Sequence, residues 1–340
     1  MNTAERFLLV RLSSLGDLVH SVPVVPALRR SFPGARIDWV ADARWAPLME
    51  LVEGLDNVIP LDRSARGTLA CIRRLRRARY TCAIDIQGRY RSAVLMWLAG
   101  APRRIGRRPE ATREPGAAMF YTQRVAPAGK HIVEMNLSLA VAAGAQQPAE
   151  LEFPFRVPAD AASRVRETLA RQGIRDYAVI SPGGGWGSKC WPPERFGELC
   201  AEIWRRHELR AVINISEGEE DLARGVTAAA GDAKPAVIST TIPELAALLA
   251  AARLVVAGDT GPLHLAAALG TRVVGLFGAT DPERNGPLPR GAVVRNAGGE
   301  PPDYVRGDYV RRRDYDPAML SLTVAQVLAA VEQELGVVAR

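Results

Sequence analysis

The 340-residue sequence is short of aromatic residues, which make up 6% of it, and of cysteine, with four in all. So few rings argue against an aromatic-rich β-sandwich and fit an Ala-, Leu- and Val-rich chain of helices and strands. Cys71, Cys82, Cys190 and Cys200 form no CxxC pair and have no His at ligand spacing, which excludes a disulfide framework or a zinc site and leaves buried free thiols. No run of ~18 apolar residues is present to span a membrane. Met1 to Arg11 reads as a polar lead into a strand without a cleavage-site pattern, so the chain is expected to stay in the cytoplasm. Also missing are GxGxxG, the GKS/T ending of a Walker loop, and a DxD pair among Asp38, Asp42 and Asp85.

What is present is enough chain for two domains of roughly 100–200 residues each. The hydrophobic fraction of 48% against 24% charged belongs to a globular chain. The net charge of +7 is unevenly spread, because Leu61 to His131 holds 16 Lys and Arg against four Asp and Glu. Strand-like runs alternate with helix-like runs throughout, the pattern of a parallel α/β architecture. Strands are predicted at Phe7–Leu12, Ile37–Ala41, Asn57–Leu61 and Cys82–Ile86, separated by helices at Asp17–Ser31, Ala43–Val52, Thr68–Ala78 and Tyr90–Ala99. Ala101–Pro127, rich in Arg, Pro and Gly, lacks a period and is read as a loop region before a helix at His131–Ala143. A linker is placed at Gln146–Pro158.

The second series has strands at Tyr177–Ser181, Ala211–Ile215, Ala236–Ile238, Leu254–Ala257 and Val273–Phe277. Helices fall between them, at about Pro193–Arg206, Glu219–Ala230, Pro243–Ala251 and Pro262–Leu269. A last helix, Val324–Leu335, starts after Thr323 as its N-cap and is expected to pack back on the first domain. The domains are thus taken as 1–150, 151–322 and a C-terminal helix in 323–340: two doubly wound domains facing a cleft.

Three strand-to-helix turns carry candidate chemistry. In Arg11-Leu12-Ser13-Ser14-Leu15-Gly16-Asp17, Gly16 and the serines permit a tight turn and Asp17 falls at the helix start. Taken alone, a helix cap is the simpler reading of Asp17. In the run from Ser181 to Pro192, four glycines including Gly185 let backbone N–H groups approach an anion, and Lys189, one of three lysines in the chain, adds a point charge beside Ser188. A flexible structural loop is the alternative. In Gly258-Asp259-Thr260-Gly261-Pro262-Leu263-His264, Pro262 suits a first helical turn whose N–H groups face a ligand, with Thr260 and His264 on the same side. Together the last two turns read as a diphosphate clamp. A fourth turn, Ser216 to Asp221, carries acids that suit a helix start, one of which, Glu217 or Glu219, could take ribose hydroxyls.

These blocks, in this order, resemble the heptosyltransferases of glycosyltransferase family 9. The matching pieces are RLSSLGDLVHSVPVVPALR, PGGGWGSKCWPPERF, the GEE block and GDTGPLHLAAALGTRVVGLFGATDP, with weaker matches in DIQGRYRSAV, RRIGRR and HIVEMNLSLA. The resemblance implies a GT-B fold of two Rossmann-like domains and an inverting, metal-independent transfer from ADP-L-glycero-β-D-manno-heptose, without a cofactor. It implies Asp17 as catalytic base, Lys189 on phosphate, Glu219 on ribose, and Asp259, Thr260, Gly261 and His264 on diphosphate and sugar. The GGGWGS run departs from the Thr-rich loop of some members, leaving backbone N–H groups and Ser188 in its place.

The implied acceptor is the inner core of lipopolysaccharide, 3-deoxy-octulosonate (Kdo)-lipid A or its monoheptosylated form. Its phosphates and carboxylates suit bidentate pairing with Arg. Arg63 and Arg66 after a strand end, and Arg107 and Arg108 in the unpatterned region, are therefore candidate acceptor contacts, while most arginines of 73–79 read as a solvated helix face. Peripheral contact with the cytoplasmic face of the inner membrane and a monomeric state are expected. Two other readings stand beside this one: a family 9 enzyme using another nucleotide sugar and a small acceptor, and a non-catalytic nucleotide-sugar-binding protein. Nucleic acid is not expected as a partner, because the arginines lack interleaved aromatics.

Overall fold

A computed structural model describes residues 5–295 and 314–336. Residues 1–4 of the N-terminal lead and 337–340 of the C-terminal segment lie outside the described residues. The chain divides into two compact units, the first running through Arg156 and the second starting at Val157.

In the first unit, β1 (Arg6–Val10), β2 (Arg36–Asp42), β3 (Asn57–Leu61), β4 (Cys82–Asp85), β5 (Arg103–Arg107) and β6 (Gln123–Val125) form one sheet in the order β3-β2-β1-β4-β5-β6. Every pairing is parallel, with Val10 opposite Val40 on one side and Asp85 on the other. In the second unit, β7 (Tyr177–Ser181), β8 (Arg210–Ile215), β9 (Ala236–Ser239), β10 (Leu254–Gly258), β11 (Val273–Phe277) and β12 (Ala292–Arg295) pair in parallel in the order β12-β11-β10-β7-β8-β9. Counted from its own first strand, each sheet has the doubly wound order 3-2-1-4-5-6. Central strands such as β7, β10 and β11 are buried along their whole length, as sheets covered by helices on both faces require.

The helices of the first unit are α1 (Leu15–Val19), α2 (Val24–Ser31), α3 (Ala46–Met49), α4 (Ala65–Ala78), α5 (Tyr90–Leu98) and α6 (Ile132–Ala143). The expected single helix at Asp17–Ser31 is two helices, because Pro23 at the N-cap of α2 cannot continue the hydrogen-bond ladder. The second unit holds α7 (Ala159–Ala170), α8 (Pro193–His207), α9 (Glu220–Ala230), α10 (Ile242–Ala251), α11 (Gly261–Ala268), α12 (Pro282–Asn285), α13 (Pro317–Leu320) and α14 (Val324–Leu335). Thr323 caps α14 as expected, its hydroxyl accepting the Gln326 N–H. The expected packing of that helix on the first domain is corrected. Val327, Leu328 and Val331 sit in the core of the second unit, where Trp191 donates its indole N–H to the Leu322 carbonyl at 3.0 Å.

A second correction concerns 101–127, expected as loop and found to contain β5, β6 and short 3₁₀ turns. Apolar periodicity is weak there because Arg103 and Arg104, at the start of β5, stand among the strand residues and bond main-chain carbonyls. Arg103 takes the Ala143 carbonyl at 3.1 Å, and Arg104 takes those of Phe120 and Ala101, both at 2.8 Å. The four cysteines are buried free thiols, and burial pushes Cys82 and Cys200 up to about 12.

Candidate functional site

In an open parallel sheet the ligand crevice lies beyond the carboxyl ends of the strands, where strand order reverses. That point falls between β1 and β4 in the first unit and between β7 and β10 in the second. The candidate turns follow β1, β7 and β10, so each unit carries its own group of site residues at its own switch point.

In the first unit, Asp17 lies in the first turn of α1, with Ser14 at the N-cap and Gly16 beside it. One oxygen, Oδ2, accepts the Ser14 N–H at 3.2 Å and its hydroxyl at 3.1 Å. The other, Oδ1, meets the Arg11 guanidinium at 2.8 Å. Asp17 is therefore a cap, as the simpler reading holds, yet its side chain keeps 39% of its exposure while Arg11 keeps 10%. Withdrawal from water pushes the carboxyl up, but Arg11, the Ser14 N–H and His20 outweigh this and hold it well below the usual carboxylate range. Arg11 is fixed from behind by the Ile86 carbonyl at 3.0 Å, and Trp39 donates to the Arg11 carbonyl at 3.1 Å. Arg11 carries no role in the motif read from sequence alone; a cation at the end of β1, six positions before a helix-start carboxylate, is the signal that points to it.

The four candidate acceptor arginines separate. Arg63 follows β3 and forms a two-pronged pair with Asp42, at 2.7 and 3.2 Å, with most of its side chain in solvent. Arg66 is exposed in the first turn of α4, and Arg108 is exposed beyond β5. Arg107 is a correction, since it is buried at the end of β5 rather than free in a loop. It bonds Asn136 Oδ1 and the Ile86 carbonyl, and Asn136 in turn donates to the His20 carbonyl at 2.9 Å and to the Ser21 hydroxyl at 3.3 Å. The Ser21 hydroxyl then donates to the Asp17 carbonyl at 2.7 Å. Arg107 braces α1 through this network.

In the second unit, Lys189, Asp259 and His264 form one cluster. Lys189 Nζ donates to Asp259 Oδ2 at 2.7 Å and to its main-chain carbonyl at 3.1 Å, and His264 Nε2 meets Oδ1 at 2.8 Å. A carboxylate only accepts, so the His264 Nε2 carries the proton of that bond. Burial pushes Asp259 up, and Lys189 with His264 overcomes it, holding the carboxyl far below its usual range. Both Asp259 oxygens are thus occupied, which gives this residue the task of aiming Lys189 and His264.

Beside the cluster, the hydroxyls of Ser188 and Thr260 are buried without a hydrogen-bond partner. Thr260 is the N-cap of α11 but makes no side-chain cap, so the free N–H groups of the first turn and its hydroxyl await an acceptor. Unsatisfied buried hydroxyls cost about 1–3 kcal/mol each, which an anion placed there would recover. Two glycines make the cradle possible. A Cβ at Gly258 would sit 2.6 Å from the Lys189 carbonyl, and one at Gly183 would overlap the Glu219 carboxylate. Gly183 therefore lets the 216–219 turn lie against the loop, while Gly185 is exposed and Gly261 begins α11. Glu219 also accepts the Ser216 N–H at 2.8 Å and is half-buried, whereas Glu217 is exposed; of the two acids it is Glu219 that faces the loop. Among the described residues no group of three or more His, Cys, Asp or Glu side chains is arranged to hold a metal ion.

Residues 68–310 match the sequence profile of glycosyltransferase family 9 (heptosyltransferase). The chain is similar to lipopolysaccharide heptosyltransferase 1 of Pseudomonas aeruginosa, 32% identical over 302 residues, which covers 85% of this chain and 82% of the relative. Its fold is similar to the Escherichia coli heptosyltransferase WaaC with ADP, with a TM-score of 0.76 and 26% identity across 97% of this chain and 99% of that one. The same enzyme with ADP-2-deoxy-2-fluoro heptose gives a TM-score of 0.75 and 26% identity, over 96% and 99%. Two doubly wound Rossmann-like units of the GT-B type, each with motif residues at its switch point, together with this profile, place the chain in glycosyltransferase family 9, the heptosyltransferases.

Proposed function

We propose that the chain is an inverting transferase that moves L-glycero-D-manno-heptose from ADP-heptose onto the inner core of lipopolysaccharide, Kdo-lipid A or its monoheptosylated form. It would act in the cytoplasm, in peripheral contact with the inner membrane. The observation that carries the reading is the Lys189–Asp259–His264 cluster with the unpartnered hydroxyls of Ser188 and Thr260 at the start of α11. It supplies cation, N–H and O–H donors to one anion of the size of a diphosphate. Glu219 takes the ribose hydroxyls, and the main chain around Gly185 and Gly261 lets N–H groups approach the phosphates.

In the reaction an acceptor hydroxyl forms a bond from oxygen to the anomeric carbon on the face opposite the diphosphate. The bond from that carbon to the phosphate oxygen breaks, and its electron pair leaves with ADP. Asp17 receives the hydroxyl proton. Arg11 keeps Asp17 ionised at every working pH, and a carboxylate so held is a weak base, suited to a proton that leaves late in the step. Lys189 and the α11 N–H groups meet the charge growing on ADP, a task that fixed donors perform without reorganising. Arg63, Arg66 and Arg108 are left to meet the acceptor's phosphates and carboxylates. The deciding experiment is mass spectrometry of products from ADP-heptose with Kdo-lipid A and, separately, with the monoheptosylated acceptor, with and without EDTA. One acceptor should gain a single heptose in both conditions; no product from either would overturn the reading, and loss with EDTA would overturn metal independence.

A further inference from the structure

One side of the first unit exposes large apolar side chains in a row. Tyr90, Val94 and Trp97 are spaced i, i+4, i+7 along α5, which puts them on one face; Tyr90 and Trp97 are each 50% exposed. That face packs beside residues 115–120. Trp97 lies against Phe120 with ring centroids 5.9 Å apart, and Tyr90 lies over Gly116, where a Cβ would overlap its hydroxyl. Met119, 70% exposed, projects from the same segment. Three arginines are anchored along this seam to main-chain carbonyls: Arg76 to Leu98 at 3.0 Å, Arg104 to Phe120 and Ala101, both at 2.8 Å, and Arg124 to Ala118 at 3.0 Å. Neither α4, α5 nor 115–120 contains an Asp or Glu, and Glu114 at one end is bonded to the Tyr90 N–H.

We propose that this seam is the surface through which the chain lies against an anionic lipid bilayer. Trp and Tyr settle at the headgroup level, where an apolar body and a polar tip are both satisfied. Stable binding without a spanning helix takes two signals, apolar insertion and a basic patch, and the seam supplies both. Charge selects the occupant: an arginine rim with no carboxylate opposite it repels a second copy of itself and attracts acidic headgroups. Nucleic acid fits less well, since Trp97 already leans against Phe120 with the ring planes tilted by 52°, and Met119 offers no ring. The inference rests on the reading of a membrane-borne acceptor and adds which face meets the membrane.

The test is flotation of the full chain with phosphatidylcholine vesicles containing about a third phosphatidylglycerol, and with phosphatidylcholine alone. The wild type should float with the first and much less with the second. Trp97→Ser/Met119→Ser should lower the partition coefficient about tenfold or more, with ADP affinity and turnover on a lipid-free acceptor fragment unchanged. Met119→Asp, at a position that packs on little, is the second variant and should also fall, while Trp204→Ser in the second unit should not. Equal flotation of the wild type and both seam variants overturns the seam but leaves peripheral contact standing. Failure of the wild type to float overturns both. Dimerisation abolished by Met119→Asp, or tighter binding to RNA than to acidic vesicles, overturns the lipid assignment.

Discussion

Asp17 has a guanidinium 2.8 Å from one oxygen and the Ser14 N–H and hydroxyl at the other, so it is oriented before any substrate arrives. Asp17→Asn keeps the size and part of the cap but accepts no proton. Turnover is expected to fall by ~10²-fold or more with ADP affinity nearly unchanged, as single-turnover kinetics and calorimetry would show. The pH dependence carries a sign. Because the folded carboxyl is held below its ordinary value, near 4, Asp17 stays ionised down through that range and contributes no acid limb to kcat/KM above pH ~4. Arg11→Met removes the cation and leaves the withdrawal from water, which pushes the carboxyl up. The variant's kcat/KM should therefore decline at the acid end of a pH 4–8 profile where the wild type is flat, and superimposable profiles would show that Arg11 does not set the base.

At the scale of elements, α11 and the loop after β7 act together. Lys189→Ala and His264→Ala should each weaken ADP binding by about 1–3 kcal/mol in isothermal titration, the range for a lost hydrogen bond to a charged group. Unchanged affinity in both would place the diphosphate elsewhere. Strand β5 gives a contrast between neighbours. Arg107→Ala removes a buried guanidinium from the Asn136 network and should lower the unfolding midpoint, by about 2–4 kcal/mol of stability in a denaturant titration. Arg63→Ala and Arg66→Ala, at exposed positions, should leave the midpoint in place and raise the acceptor KM. An Arg107 variant as stable as the wild type would show that the network is not structural.

For the whole molecule, the net charge of +7 and isoelectric point near 9.6 conceal an asymmetry, with the cationic excess confined to 61–131. Surface charge is screened over about 8 Å at physiological ionic strength, whereas a buried pair such as Lys189–Asp259 is screened much less. Raising salt from about 50 to about 500 mM should accordingly increase the acceptor KM severalfold and change ADP affinity far less. Equal sensitivity of both would mean that the basic region is only a solvated surface.

The alternation of apolar strands with helices made two parallel sheets legible, because buried strands such as Leu8–Val10 and Leu254–Ala257 leave continuous hydrophobic runs that no turn or surface helix would carry. The motif turns were equally legible, since glycine, proline and a helix-start acid each have a local conformational reason to stand where they do. Strands β5 and β6 were not, because arginines stand where apolar residues would mark a strand, and those of β5 satisfy carbonyls as distant in sequence as Ala143 and Phe120. Nor could the sequence distinguish Arg107 from Arg108, adjacent and identical in chemistry, one buried against Asn136 and the other in solvent. Asp259 shows it most plainly: spacing placed it beside Thr260 and His264, but only the fold brings Lys189 across seventy residues to the oxygen that His264 does not meet. Local chemistry fixes which groups can serve, and tertiary packing fixes which of their lone pairs and protons are already spent.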